Sequence, residues 1–315
     1  MDAVELRDLL RGAPELLARQ PVQAVETFAS ALARSSGPAH APARVWLRYF
    51  LALGNLSLWR IAEARTETIT ALEEAALLPW PEENRRSPVT FDPERALPLL
   101  RRTLVELAAR GLVAFASGGT LLGLVREGRL LAHDKDLDVV TPIEFFDRVV
   151  EFLPGLGWAA AWIPLKAVNF RSFVHEESSI TLDIIGADYD PGTDRIVGGW
   201  WPVGLPRAEG RLLRFRKFEV ALADAPWGRH WRIVHPEPVL EELYGPGWRI
   251  PDPGFDAALE TPALVEYTPF TRAWGYLRLL EARLNGRTDR FARLVRILGR
   301  LDPADPVLNR LDPHF

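Results

Sequence analysis

Ser117-Gly-Gly-Thr-Leu-Leu-Gly-Leu-Val-Arg126 and, after a short loop, His133-Asp-Lys-Asp-Leu-Asp138-Val-Val-Thr141 are the two halves of the stretch that decides the fold. The apolar run Leu112-Val-Ala-Phe-Ala116 ahead of it is short enough for a buried strand, the glycines close that strand, and the residues that follow read as a helix. In a strand, glycine turn and helix, backbone N–H groups at the helix start face outward, where they can meet an anion, and glycine lets a phosphate come close. Ser117, Gly118, Gly119 and Thr120 are therefore the expected phosphate-binding residues. Arg126 follows Gly119 by two helical turns, on the same helix face, and is expected to reach back toward the turn.

Asp134, Asp136 and Asp138 occupy alternate positions, so an extended backbone projects all three carboxylates to one side and Lys135 and Leu137 to the other. Carboxylates that close raise one another's pKa unless a cation neutralises them. Mg2+ suits the purpose, because it takes oxygen ligands and commonly shares a site between carboxylates and substrate phosphates; Mn2+ fits as well. An isolated Asp-x-Asp is more often a solvated acidic turn, and a further carboxylate is what separates the readings. Ile180-Thr-Leu-Asp183-Ile-Ile places an aspartate inside an apolar, strand-like run, where a buried charge needs metal coordination, activation of a hydroxyl or a structural hydrogen bond to account for it.

Working outward, residues 3–78 are rich in Ala, Leu, Arg and Glu at helical spacing and read as three or four packed helices, an accessory region suited to self-association. The proline-rich segment after Leu78 breaks that pattern, which sets a boundary near residue 88 and divides the chain into 1–88 and 89–315. Beyond it come a helix from Pro93 to Arg110 that stops at Gly111 and a helix from Pro142 to Leu153. Strands are expected at 158–163, 168–174, 180–185 and 212–222, then a short helix at 236–244 and one or two helices over 271–301. Asp188 and Asp190 sit in a turn-like segment. The whole is an α/β pattern with a mixed sheet and flanking helices, preceded by an all-helical region.

The chain has 315 residues, 48% hydrophobic and 25% charged, with a net charge of -4, so it carries no broad basic field and nucleic acid is not an expected partner. The absence of cysteine removes disulfides, thiolate metal sites and cysteine nucleophiles together. No leader-like or membrane-spanning apolar run is visible, which points to a cytoplasmic protein.

Gly119 to Val139 resembles the signature of the LicD family, which includes bacterial phosphocholine transferases and fukutin-related ribitol-phosphate transferases. Leu243-Tyr-Gly-Pro-Gly-Trp-Arg-Ile-Pro251, preceded by Lys217-Phe-Glu-Val220, is similar to the element that closes that domain, so the resemblance spans about residues 95–253. It implies a nucleotidyltransferase fold and metal-dependent transfer of a phosphorylated alcohol from a nucleotide-diphospho donor, often CDP-linked, to a glycan hydroxyl. On this chain it implies metal at Asp136 and Asp138, with Asp134 adjacent and Asp183 as strand partner, and a phosphate held by Gly118, Gly119, Arg126 and Lys217. Asp183 and Asp134 both remain open as the base. His133 stands where the family usually has tryptophan and Lys135 where many members have an acid, which leaves donor identity open. Two rival readings are an ATP-dependent nucleotidyltransferase acting on a small molecule or protein, and a non-catalytic module that binds carbohydrate or a partner through Trp200, Trp201, Trp227 and Trp231.

Overall fold

The computed structural model describes residues 2–84, 91–163 and 165–311, so the expected boundary near residue 88 lies outside the described residues. Four helices open the chain: α1 (Ala3–Arg19), α2 (Pro21–Ala33), α3 (Ala41–Ser57) and α4 (Ile61–Ala76). The first starts on a capping box, in which the Asp2 carboxylate accepts from the Val4 and Glu5 N–H groups while Glu5 reaches back to the Asp2 backbone. The first three bury Leu6, Leu17, Phe28 and Leu47 against one another.

The second part of the chain begins with α5 (Pro93–Ala109), β1 (Phe115–Ala116), α6 (Gly118–Arg126), β2 (Asp136–Pro142) and α7 (Ile143–Phe152). Strands β3 (Trp158–Ala160), β4 (Phe170–His175), β5 (Thr181–Asp190), β6 (Arg195–Trp200) and β7 (Arg211–Arg216) follow, then a separate hairpin of β8 (Val220–Ala223) and β9 (His230–Ile233). The chain closes with α8 (Pro236–Tyr244), α9 (Pro269–Leu284), α10 (Thr288–Leu301) and α11 (Pro306–Leu311).

The main sheet runs β1-β2-β5-β4-β3, with β6 on the far end of β5 and β7 beside β6. It is mixed: β2 and β5 are parallel, and the other pairs are antiparallel. A parallel pair needs a crossover, which α7 and the β3–β4 hairpin supply. Strand alternation then sorts the side chains. Leu137 and Val139 of β2 and Leu182 and Ile184 of β5 face α5 and α7 in one core with Leu104, Phe146 and Trp158. Each such fully buried side chain contributes about 1.5–3 kcal/mol, and that face supplies the stability that lets the opposite face carry repelling carboxylates.

The N-terminal helices share cores with the C-terminal ones. Leu72 and Ala75 of α4 pack with Tyr276, Leu280 and Leu294 of α9 and α10, while Trp59 packs on Phe270 and donates its indole N–H to the Lys166 carbonyl at 2.7 Å. Arg283 of α9 donates to the Ala75 and Leu78 carbonyls at 2.6 and 2.7 Å, satisfying the C-terminal end of α4.

Several elements differ from the sequence expectation. The 212–222 strand is two, β7 and β8, separated at residues 217–219. Asp188 and Asp190 are not in a turn: β5 continues through Asp190 because β6 pairs with residues 188–190. The strand β6 and its Gly198-Gly199 pair had no expected counterpart, and neither did β9. The four tryptophans form no exposed platform. Trp201 is buried, with its indole N–H on the Gly198 carbonyl, and Trp200, Trp227 and Trp231 are half-buried.

Candidate active site

The site is assembled where β1, α6, β2 and β5 meet. Asp138 lies opposite Asp183 in the parallel ladder, and Asp136 lies two residues upstream on the same face, opposite Thr181. Asp134 falls before the strand rather than on it, in a turn in which its N–H donates to the Leu131 carbonyl; β2 begins at Asp136, where pairing with β5 begins. The turn still delivers Asp134 to the same cavity as the other three.

Asp138 locks the glycine turn to the sheet through three hydrogen bonds. Its carbonyl accepts from Ser117 N–H at 3.0 Å, its Oδ2 accepts from Gly119 N–H at 2.9 Å, and its own N–H donates to Thr120 Oγ1 at 2.8 Å. Ser117 is the N-cap residue of α6 and makes no side-chain cap bond; the Asp138 carboxylate, from another element, does that work. Thr120 is fully buried and holds β2 rather than facing the cavity, whereas Ser117, Gly118 and Gly119 line it. The backbone at Gly118 has φ +53°, and a Cβ there would overlap the Asp138 carboxylate.

The electrostatics follow from burial of like charges. Burial, with Asp136 second, pushes the Asp134 carboxyl up to about 6. Burial, opposed by a hydrogen bond from Ser172 and reinforced by Asp136, pushes Asp183 up to about 7. Asp138 is raised well above the ordinary range by burial and by all three neighbours, with Gly119 N–H opposing, and Asp136 is raised by burial against Lys135. Asp134 Oδ2 and Asp183 Oδ1 are buried and have no hydrogen-bond partner.

Both carboxyls therefore titrate above the unfolded value of 3.8. Between that value and about 7 the folded chain holds more protons than the unfolded one, so their contribution to stability falls as pH rises through that window. Metal-free Asp183→Asn protein is expected to melt above the wild type by roughly 2–4 °C at pH 8, with the gap closing by pH 4. Thermal unfolding of the two proteins in a chelating buffer checks this, and a gap that does not change with pH would remove charge repulsion as its cause.

Two expected phosphate contacts are placed elsewhere. Arg126 donates to the Trp248 carbonyl at 3.3 Å and to Glu127 Oε1 at 2.9 Å, and is not part of the cavity wall. Lys217 is exposed, with its ammonium 4.8 Å from the centre of the Tyr189 ring, and lines a neighbouring cavity with Asp188 and Phe218. His133 and Lys135 do border the main cavity.

The cavity, of about 570 Å³, is larger than the acidic corner alone. Trp200, Phe215, Phe255 and Tyr244 wall it, and Arg211, Arg278 and Arg290 line it as well. The Tyr244 hydroxyl is pushed up by burial and then by Asp138 and Asp134. No spacing in the sequence joins these arginines. The one local signal is Arg211 itself, a charge heading the strand Arg-Leu-Leu-Arg-Phe-Arg216.

The site thus combines a mixed sheet, a glycine turn, a helix start and in-register carboxylates on one face. Residues 111–190 match the family model described as LicD/FKTN/FKRP, nucleotidyltransferase domain, in agreement with the resemblance read from the sequence. The matched segment holds Ser117 to Asp138 and Asp183, and makes this part of the chain similar to a class of transferases. No curated protein matches the chain. Among solved structures, the lincosamide antibiotic adenylyltransferase LnuA bound to lincomycin is similar at 17% identity over 45% of this chain and 82% of its own, with a TM-score of 0.32. The antibiotic-resistance factor ANT(2'')-Ia is similar at 15% identity over 66% of this chain and 100% of its own, with a TM-score of 0.31.

Proposed function

We propose that the chain is a metal-dependent transferase that moves a phosphorylated alcohol from a nucleotide-diphospho donor, CDP-linked, to a hydroxyl of a glycan or glycoconjugate. The observation that carries this reading is the set of Asp136, Asp138 and Asp183 on one sheet face, beside the α6 start, in a cavity that also takes in Asp134. Like charges buried together are costly without a counter-ion.

The donor set suits a divalent cation in its chemistry: all carboxylate oxygens, two of them buried without partners. Among the described residues, no group of three or more His, Cys, Asp or Glu side chains is placed to hold a metal ion by itself, so an ion here would need substrate oxygens to complete its ligands. Mg2+ is commonly held by one or two carboxylates together with substrate phosphates, so a closed cage is not its requirement. Asp136 and Asp138 would hold the ion; bound there, it would neutralise charge on the phosphate oxygens.

The chain's own residues supply the rest. Ser117, Gly118 and Gly119 bring backbone close to the donor phosphate, and Thr120 fixes Asp138 in register. The acceptor oxygen bonds to phosphorus as the bond from phosphorus to the bridging oxygen breaks, and the nucleoside monophosphate leaves. Asp183, which has a partner-free oxygen and an elevated pKa, takes the proton of the attacking hydroxyl. The Arg126 and Lys217 side chains do not line this cavity, and no step is assigned to them.

The ATP-dependent reading shares the turn and the carboxylates. The LicD match over residues 111–190 agrees with the resemblance that implies a CDP-linked donor. Thermal shift with Mg2+ separates the two: CDP or CTP is expected to raise Tm more than ATP at equal concentration. Stabilisation by ATP alone would transfer the assignment to the rival.

A further inference from the structure

We infer that the end of the cavity bounded by Arg211, Arg278 and Arg290 is an anion subsite for the acceptor, which carries a phosphate or carboxylate besides its reacting hydroxyl. This rests on the transferase reading for the word acceptor, but the anion site itself stands on geometry alone.

The three arginines come from β7, α9 and α10, far apart in sequence, and converge on one wall. Arg211 is 93% buried (7% exposed), with Nε and Nη2 donating to the Ala258 and Ala257 carbonyls at 2.9 and 2.7 Å, so backbone dipoles orient it without neutralising its charge. Burial draws its pKa down to about 10, with Asp256 opposing, and it remains a cation at neutral pH. Arg278 places Nε and Nη2 on Asp256 Oδ2 at 3.0 and 2.6 Å, and Arg290 stands 3.5 Å from the same oxygen. Asp256 is buried and is not part of the cavity wall. One carboxylate thus lies behind three guanidinium groups. Arg290 also feels Glu281 and, in the opposite sense, Arg287.

A clamp fastening the 256–258 loop to α9 needs only the Arg278–Asp256 pair. Arg278 and Arg290 are partly open to solvent, at 21% and 42% of their side-chain surface, so their guanidinium groups are accessible to a ligand. Positive charge gathered on one wall is unfavourable unless an anion meets it, and guanidinium forks match phosphate and carboxylate geometry. The same cavity is also lined by Asp134, Asp136, Asp138 and Asp183, to which the transferase reading assigns the donor phosphates, and an anion at the arginines would then belong to the second substrate. Trp200, whose ring lies 5.7 Å from the Arg211 guanidinium, and Phe255 also line the cavity and offer apolar surface to the uncharged part of a ligand. This also assigns a task to α9 and α10, which lie beyond the matched residues 111–190.

Calorimetric titration of the whole chain, without divalent metal, with inorganic phosphate and separately with acetate tests the site. Wild type is expected to bind at least one of them, and Arg290→Gln to bind it about tenfold or more weakly, with Arg290→Lys in between. Tighter phosphate points to a phosphorylated acceptor and tighter acetate to a carboxylated one. Asp138→Asn should bind the anion as wild type does, and Arg290→Gln should keep the wild-type response to CDP with Mg2+. Equal anion affinity in wild type and Arg290→Gln, or binding of neither probe by wild type, overturns the inference. Loss of the nucleotide response in wild type overturns the transferase reading instead. Should Arg290→Gln fail to fold, the Arg290→Lys comparison decides on the same terms.

Discussion

Asp138→Asn is expected to lower kcat/KM for metal-dependent transfer by about 10³-fold or more while leaving the melting temperature unchanged or higher. The size follows from removing one of two carboxylates assigned to the ion, because several kcal/mol of transition-state charge stabilisation correspond to about a thousandfold at 1.36 kcal/mol per decade. The direction of the stability change follows from electrostatics. Asp138 is half-buried, and burial together with Asp136, Asp134 and Asp183 disfavours its charge, so a neutral amide relieves repulsion in the metal-free protein. The amide oxygen can still accept from Gly119 N–H, which preserves the cap on α6 and the register of the turn. Turnover measured at saturating Mg2+, beside thermal unfolding of the same samples, checks both halves. Activity within about threefold of wild type would sink the assignment of Asp138.

Much of this site was legible before the fold was known, because its information is local. A strand followed by Ser117-Gly-Gly and an apolar helix has few other solutions, and alternate aspartates in an extended segment share a face by geometry. Asp183 was visible for a related reason: a charge within Ile180 to Ile185 has no ordinary place in a buried strand. Where the expectation missed, tertiary pairing overrode local pattern. No strand was expected at Arg195-Ile-Val-Gly-Gly-Trp200, but β5 and β7 on either side supply the ladder bonds that make it one. Asp134 left the strand because β5 provides no partner before Thr181.

Arg126 shows how a correct helical phase can mislead. Seven residues do return it to the face of Gly119, yet they also carry it about 10 Å along the axis at 1.5 Å per residue. The near neighbours at that end are the Trp248 carbonyl and Glu127, and the guanidinium bonds to them. The grouping of the arginines that do face the cavity was not legible for the opposite reason: Arg211, Arg278 and Arg290 have no common period, and only the packing of β7, α9 and α10 brings them together.

Gly118→Ala is expected to cost activity about 10²-fold, in line with what a 1 Å misplacement of catalytic groups can do, and to destabilise the chain as well. Two separate effects act at this position. Its φ of +53° is a conformation that costs an L-residue about 1–2 kcal/mol. The added methyl also overlaps the Asp138 carboxylate, so either the turn or the carboxylate must move, and Gly119 N–H loses its acceptor in both cases. Gly111→Ala separates the two effects. Gly111 has φ +69° and open space around the position a Cβ would take, and it lies at the end of α5, apart from the cavity wall. It should therefore reproduce the backbone cost with turnover unchanged. Comparing kcat and Tm for the two variants isolates the contact with Asp138, and equal activity in both would show that the turn tolerates displacement and that the carboxylate is not held by it.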